Sequence, residues 1–166
     1  MANFTTFLGN KMSQDSGAVE FWEKVLCKND YKRLIEFGTY KGAMSVFFLL
    51  WSMTRKADFK TYDTAAHKFN RLAYFLKLPL YFRKLDIFEH EKEIGELIAK
   101  LGMSIVYCDN GDKSRELKVF SKYLKKGDLI GVHDWGTELS WGDVPIGLDI
   151  VSIHHREPNT IIFKKL

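Results

Sequence analysis

The chain has 166 residues, a formal net charge of +4 and an apolar share of 46%, which suits one folded core and excludes a disordered chain. Its basic residues are scattered as pairs (Lys32–Arg33, Arg55–Lys56, Lys125–Lys126, Lys164–Lys165) rather than gathered in a run, which points away from a nucleic-acid partner. Two cysteines, Cys27 and Cys108, make no disulfide framework, and the longest apolar stretch, at 42–51, is about half of a membrane span.

The segment AVEFWEKVLCK (18–28) sets Val19, Trp22, Val25 and Leu26 at helical spacing, with Ser16 as an N-cap. LIEFG (34–38) is a short apolar run stopped by glycine and reads as a buried strand. A helix over 43–55 follows, with Phe47, Phe48 and Trp51 in the core. FKTYD (59–63) is a second strand, and residues 65–78 form a helix closed by Pro79. YFRKLDIF (81–88) leads into a helix over 91–102 whose stripe is Ile94, Leu97, Ile98 and Leu101. SIVYCD (104–109) is a strand. An amphipathic helix over 114–127 runs through Leu117, Phe120 and Leu124, and DLIGVHD (128–134) is the fifth strand.

Such alternation with short connections predicts a parallel sheet with helices on both faces. After Asp134 the pattern changes to a loop holding Trp135, Trp141, Gly142 and Pro145. Two strand-like runs follow, at 150–155 and 160–165, close enough to pair antiparallel. The chain reads as a single domain. It has an N-terminal helical segment over 1–30, a cofactor-binding core over 31–136, and a loop with a C-terminal hairpin over 137–166. A polar start without an apolar leader, and reduced thiols, predict a cytoplasmic protein.

In an open parallel sheet, ligands lie at the carboxyl ends of the strands, and the polar residues of this chain collect there. Gly38 and Gly42 bracket the first strand–helix turn with G-x-x-x-G spacing, lacking the middle glycine of a dinucleotide site. Glu36 stands two residues before Gly38. A carboxylate repels a pyrophosphate but attracts the ammonium and sulfonium of S-adenosylmethionine. Asp63 comes 21 residues after Gly42, where an acid can accept ribose hydroxyls. The bland reading is a tight turn with Glu36 paired to a neighbouring lysine.

EFGTYKGAMS together with CDNGDK (108–113) and GVHDWG (131–136) resembles the class I S-adenosylmethionine-dependent methyltransferases over about Lys32 to Gly136. The nearest likeness is to the cephalosporin-hydroxylase-like and small O-methyltransferase branch. The resemblance implies a Rossmann-like, doubly wound, three-layer α/β/α fold, with a mostly parallel seven-stranded sheet whose last strand inserts antiparallel. It implies a methionine-side pocket of Glu36, Gly38, Thr39, Tyr40, Gly42 and Ser45. It also implies Asp63 on the ribose, and Asp86, Ile87 and Phe88 near the adenine.

Asp109 and Asp134 end the fourth and fifth strands and should face one crevice. Two carboxylates so placed invite a hard cation such as Mg²⁺. The resemblance to catechol-type enzymes supports Asp109 and Asp134 as metal ligands, with Trp135 standing where that pattern has a further ligand. His133 is either a general base or, by strand alternation, a residue turned away from Asp134 into a buried hydrogen bond. Asp109, His133 and Asp134 are thus the catalytic candidates. Lys113 reads more simply as exposed, although it could reach the crevice, and His154 and His155 as surface residues. Trp135 and Trp141 serve as a lid over substrate or as closure of their own loop.

These residues predict methyl transfer to a hydroxyl of a small molecule or glycan. The alternatives are a cofactor-binding module of the same fold without transfer, and an NAD-type oxidoreductase, which Glu36 disfavours. No two-histidine-one-carboxylate set for Fe(II) stands out. A chain this short encloses a small acceptor poorly unless the N-terminal segment folds over it or a second copy covers it, which raises the prospect of a homo-oligomer.

Overall fold

The structure, a computed structural model, describes residues 5–12, 14–15, 17–65, 69, 71–155 and 159–166. Two short strands, β1 (Thr5–Phe7) and β2 (Asn10–Met12), form a hairpin ahead of helix α1 (Ala18–Lys28). Then come β3 (Tyr31–Phe37), α2 (Ala43–Arg55), β4 (Asp58–Asp63), α3 (Arg71–Phe75) and β5 (Phe82–Lys84). The chain continues through α4 (Glu91–Ala99), β6 (Met103–Cys108), α5 (Lys113–Phe120), β7 (Leu129–Trp135), β8 (Leu148–His154) and β9 (Asn159–Lys165).

The seven-stranded sheet has the order β5-β4-β3-β6-β7-β9-β8. The strands from β5 to β7 are parallel, and β9 is antiparallel to both β7 and β8. This is the doubly wound, mostly parallel sheet with an inserted antiparallel strand expected above. The apolar runs of β3, β6 and β7 are nearly continuous because helices cover both faces. One core lies under α1 and α2, where Trp22 meets Tyr107 and Phe48 edge-on at 4.9 and 5.0 Å. The other lies under α4 and α5 and holds Ile35, Phe37, Ile94, Ile98 and Phe120.

Several expectations change. The N-terminal segment is not helical throughout: residues 5–12 are a hairpin whose turn, Leu8–Gly9, has φ of 49° and 78°. Two consecutive positive φ values suit the twist of a tight two-residue connection, and Phe7 anchors the hairpin on Phe47 at 5.5 Å. Helix α1 begins after Gly17, while Ser16 lies outside the described residues. Only Arg71–Phe75 of the helix placed at 65–78 is assigned, and residues 66–68 and 70, with His67, lie outside the described residues. Helix α4 stops at Ala99, so Leu101 falls off the apolar stripe and is 96% exposed. Within 81–88, the run leading into the next helix, a strand spans Phe82–Lys84 and leaves Asp86, Ile87 and Phe88 in a turn.

Candidate active site

The first turn sits where β3, β4 and β6 end. Gly38 donates its N–H to the Tyr62 carbonyl at 2.8 Å, and the Asp109 N–H donates to the Phe37 carbonyl at 2.9 Å. Gly38 has φ +95°, and a Cβ there would lie 2.1 Å from the Asp109 carbonyl oxygen. Only glycine allows these two strand ends to come so close. Gly42, at φ +81°, precedes α2 and closes the turn through its N–H to the Thr39 carbonyl.

Under this turn Glu36 is fully buried. Its Oε2 accepts a short hydrogen bond from Ser45, in the first turn of α2, and its Oε1 has no hydrogen-bond partner. Burial pushes its pKa up to about 8, despite the Ser45 and Thr61 hydroxyls. Thr39 is buried and shares a 2.6 Å hydrogen bond with Thr61, the cross-strand neighbour of Glu36. Tyr40 is exposed, and its N–H donates to Asp63 Oδ2 at 2.9 Å. Asp63 Oδ1 accepts from the Ala65 N–H at 2.9 Å, so this acid braces the loops at the end of β4. Asp86 accepts the Phe88 N–H at 2.8 Å. Ile87 is fully buried in the core, and Phe88 packs under the Arg115 guanidinium at 3.9 Å. These three stand in the turn after β5 and do not touch the Glu36 cluster through any of these bonds.

A cleft follows the first turn, lined by Met12, Gln14, Gly38, Thr39, Tyr40, Ala43, Met44 and Asp109. The N-terminal segment therefore folds over the crevice. Gln14 is buried and donates to the Tyr107 hydroxyl at 2.6 Å and to Asp109 Oδ2 at 2.9 Å. Asp15 next to it bonds His154 at 2.6 Å, so His154 is not a surface residue but ties this segment to β8. No local sequence signal marks Gln14, which lies 95 positions from Asp109.

The structure brings Asp109, His133 and Asp134 together, with one ligating atom from each within 4.8 Å of the others. Strand alternation would turn His133 away from Asp134. It does not, because Asp134 has φ +56° and the β7–β9 register shifts between Val132 and Trp135. The irregularity places both side chains on the same side. His133 Nδ1 bonds Thr160 Oγ1 at 3.1 Å, and its Nε2 faces Asp134 Oδ1 at 3.5 Å. Burial pulls the His133 pKa down to about 4, although the Asp134 charge opposes this. Asp109 is raised well above the usual carboxylate range by burial and by the Asp134 charge, and the Lys113 ammonium offsets part of the rise.

Lys113 corrects the simpler reading made of it. It is buried, and its Nζ lies 2.9 Å from both Asp134 Oδ2 and Glu138 Oε2. Burial alone would lower its pKa, but these two bonds outweigh that and raise it. Its position at the first turn of the helix after β6, four residues past Asp109, was the available signal. Glu116, fully buried and pushed up to about 8 by burial, accepts the Asp112 N–H and braces the same loop. Trp135 and Trp141 meet each other at 4.8 Å, and Trp141 remains 60% exposed at the loop surface.

No protein-family model matches the sequence, and no curated protein matches it. Solved structures share its fold. A proposed O-methyltransferase from Klebsiella pneumoniae has a TM-score of 0.68 at 12% identity, over 92% of this chain and 81% of that one. A CmcI structure with SAH has a TM-score of 0.67 at 14% identity, over 95% of this chain and 81% of that one. A proposed caffeoyl-CoA O-methyltransferase from Staphylococcus aureus has a TM-score of 0.63 at 13% identity, over 92% and 85%. The chain thus has the Rossmann-like α/β fold of these methyltransferase structures.

Proposed function

We propose that the protein is an S-adenosylmethionine-dependent methyltransferase that methylates a hydroxyl oxygen of a small molecule or glycan. The observation that carries this reading is Glu36: a buried carboxyl group beneath the Gly38–Gly42 turn, with one oxygen lacking a partner. An ammonium or sulfonium beside it satisfies that oxygen, whereas a pyrophosphate would not. The fold shared with an SAH-bound structure supports the same ligand.

In this reading Glu36, Ser45 and the Gly38–Gly42 turn hold the methionine end, Asp63 holds the ribose, and the Asp86–Phe88 turn flanks the base. The acceptor oxygen attacks the methyl carbon in line as the carbon–sulfur bond breaks, leaving a neutral thioether. Holding the two reactants in line supplies most of the acceleration. The acceptor proton passes to the Asp109, His133 and Asp134 cluster. Asp109, which lines the crevice, suits that role best, whereas burial lowers the basicity of His133. A dication held by Asp109 and Asp134, Mg²⁺ in the first instance, would lower the pKa of the acceptor hydroxyl.

Among the described residues no helix is long and apolar enough to cross a membrane. Cys27 and Cys108 are both free thiols, which supports a reducing, cytoplasmic setting. The N-terminal cover of the crevice takes over the enclosing role that a second copy would otherwise fill. A second reading, cofactor binding without transfer, is favoured by the Gln14 and Tyr107 bonds to Asp109, which engage the acceptor side from within.

Calorimetric titration with SAH, followed by methyl-group transfer assays over phenols and sugars, tests both readings. Micromolar binding with turnover supports the enzyme. Binding without turnover on any acceptor favours the second reading, and no binding removes both.

A further inference from the structure

We infer that a cavity under the C-terminal half of α1, at the end of the sheet remote from the crevice, is a second ligand site for a compact apolar group bearing a carboxylate or phosphate. The inference stands apart from the methyl-transfer reading, because it uses none of the same residues.

The cavity holds about 210 Å³ between α1 and the adjoining face of β7, β9 and β8. It lies by Leu129, the first residue of β7. The crevice lies by Asp134, towards the other end of that strand and roughly 16 Å along it. A cavity of about 150 Å³ holds benzene, so this one takes a single ring or a short acyl chain. The floor is apolar: the side chains of Val25, Leu129 and Ile162 line it and are buried. Covering an apolar body against them is favourable.

Strand β8 is shaped to the cavity. Alternation sends neighbouring strand residues to opposite faces, yet Val151 and Ser152 both line it. The β8–β9 register shifts between Ile150 and Ser152, and the extra residue of that bulge turns Val151 to the same side. Val151 stays 49% exposed and forms an apolar lip, with the Ser152 hydroxyl beside it as a hydrogen-bond donor.

The rim is cationic. Lys24 and Lys28 stand one turn apart on α1, Lys164 lies across from them on β9, and no acid lines the cavity. Lys24 is tied to Glu20 at 2.6 Å. Among the described residues Lys28 and Lys164 make no side-chain hydrogen bond or ion pair, although Asp149 stands opposite Lys164 in register. Like charges one helical turn apart oppose each other, and an oxyanion between them relieves this. The negative end of the helix dipole would work against an anion here. Asn29 blunts it by donating its amide to the Val25 carbonyl at 2.7 Å.

The test titrates hexanoate, phenyl phosphate, hexanol and inorganic phosphate into the full chain at low salt, following the methyl resonances of Val25, Leu129, Val151 and Ile162 by NMR. The expected result is a saturating shift of these methyls below about 5 mM hexanoate or phenyl phosphate. Hexanol, which lacks the charge, and inorganic phosphate, which lacks the apolar body, should each bind at least about tenfold more weakly. Either organic anion supports the site, and the tighter of the two identifies its headgroup. Lys28→Gln and Lys164→Gln, both exposed and so harmless to folding, should each weaken binding by about 2–5-fold. Lys28→Glu combined with Lys164→Glu should abolish saturation. Hexanol binding as tightly as hexanoate, or affinities unmoved in the lysine variants, overturns the inference. So does a failure of both organic anions to saturate by about 10 mM, or a set of shifts confined to Met12 and Met44 in the crevice.

Discussion

A fully buried carboxyl group is a costly thing to keep in a core, and Glu36, beside the Ser45 and Thr61 hydroxyls, has that standing. Replacing it by glutamine keeps an acceptor for Ser45 and removes the charge. Glu36→Gln should leave the fold intact while weakening SAH or S-adenosylmethionine binding by about 1.5–3 kcal/mol, as loss of a charge-assisted contact does, read by calorimetry. Gly38 is a sharper test of the turn. Gly38→Ala pushes a methyl group into the Asp109 carbonyl and forces a positive φ, and it should cost more than about 4 kcal/mol in denaturant unfolding. Gly111→Ala, two residues past Asp109 with nothing within 4 Å, should stay within about 0.5 kcal/mol. Glu36, Gly38 and Asp63 were legible as candidates because each stands at the end of a recognisable apolar run. Gln14 and Thr160 were not, since only the folded chain carries them to the crevice, and neither type nor spacing marks them.

At the scale of elements, period and length identified the strands whose both faces are covered. They failed where tertiary contacts decide. The β1–β2 hairpin is too short to show a period, and it is held by Phe7 on Phe47. Phe7→Ala should therefore raise amide exchange across residues 5–12 while leaving protection in β3, β6 and β7 unchanged, as measured by native-state hydrogen exchange. The kink at Asp134 was hidden for a related reason. Alternation assumes a regular strand, and β7 departs from one at Asp134, where its two polar side chains come together. The inserted strand β9 was predictable only through resemblance. Its pattern marks it as a strand, but nothing in TIIFKK says that it lies between β7 and β8.

For the molecule as a whole, buried ionisable groups set the response to pH. Glu36 and Glu116 are each raised from 4.5 to about 8, so between those values the folded chain holds protons that the unfolded chain has released. Their contribution is complete below about pH 4.5 and is lost as pH rises towards 8. His133, lowered from 6.5 to about 4, acts in the opposite sense and adds stability as pH rises through that interval. The ligand-free protein should thus lose melting temperature most steeply between about pH 6.5 and 8, where the histidine no longer compensates. Thermal melts across that range check this, and Glu36→Gln with Glu116→Gln should flatten the slope. If an ammonium pairs with Glu36, binding releases a proton. Titrations in buffers of different ionisation enthalpy should then diverge at pH 7 and converge well above 8.

The cover laid across the crevice by Met12 and Gln14, and tied down at Asp15 to His154, has a kinetic corollary. On the proposed reading, a ligand entering at the first turn waits for Met12 and Gln14 to move, or displaces Gln14 from Asp109. Association then saturates at the lifting rate when ligand is abundant. Stopped-flow traces that level off with rising SAH, and cease to level off in Gln14→Ala, would be the signature of such a door.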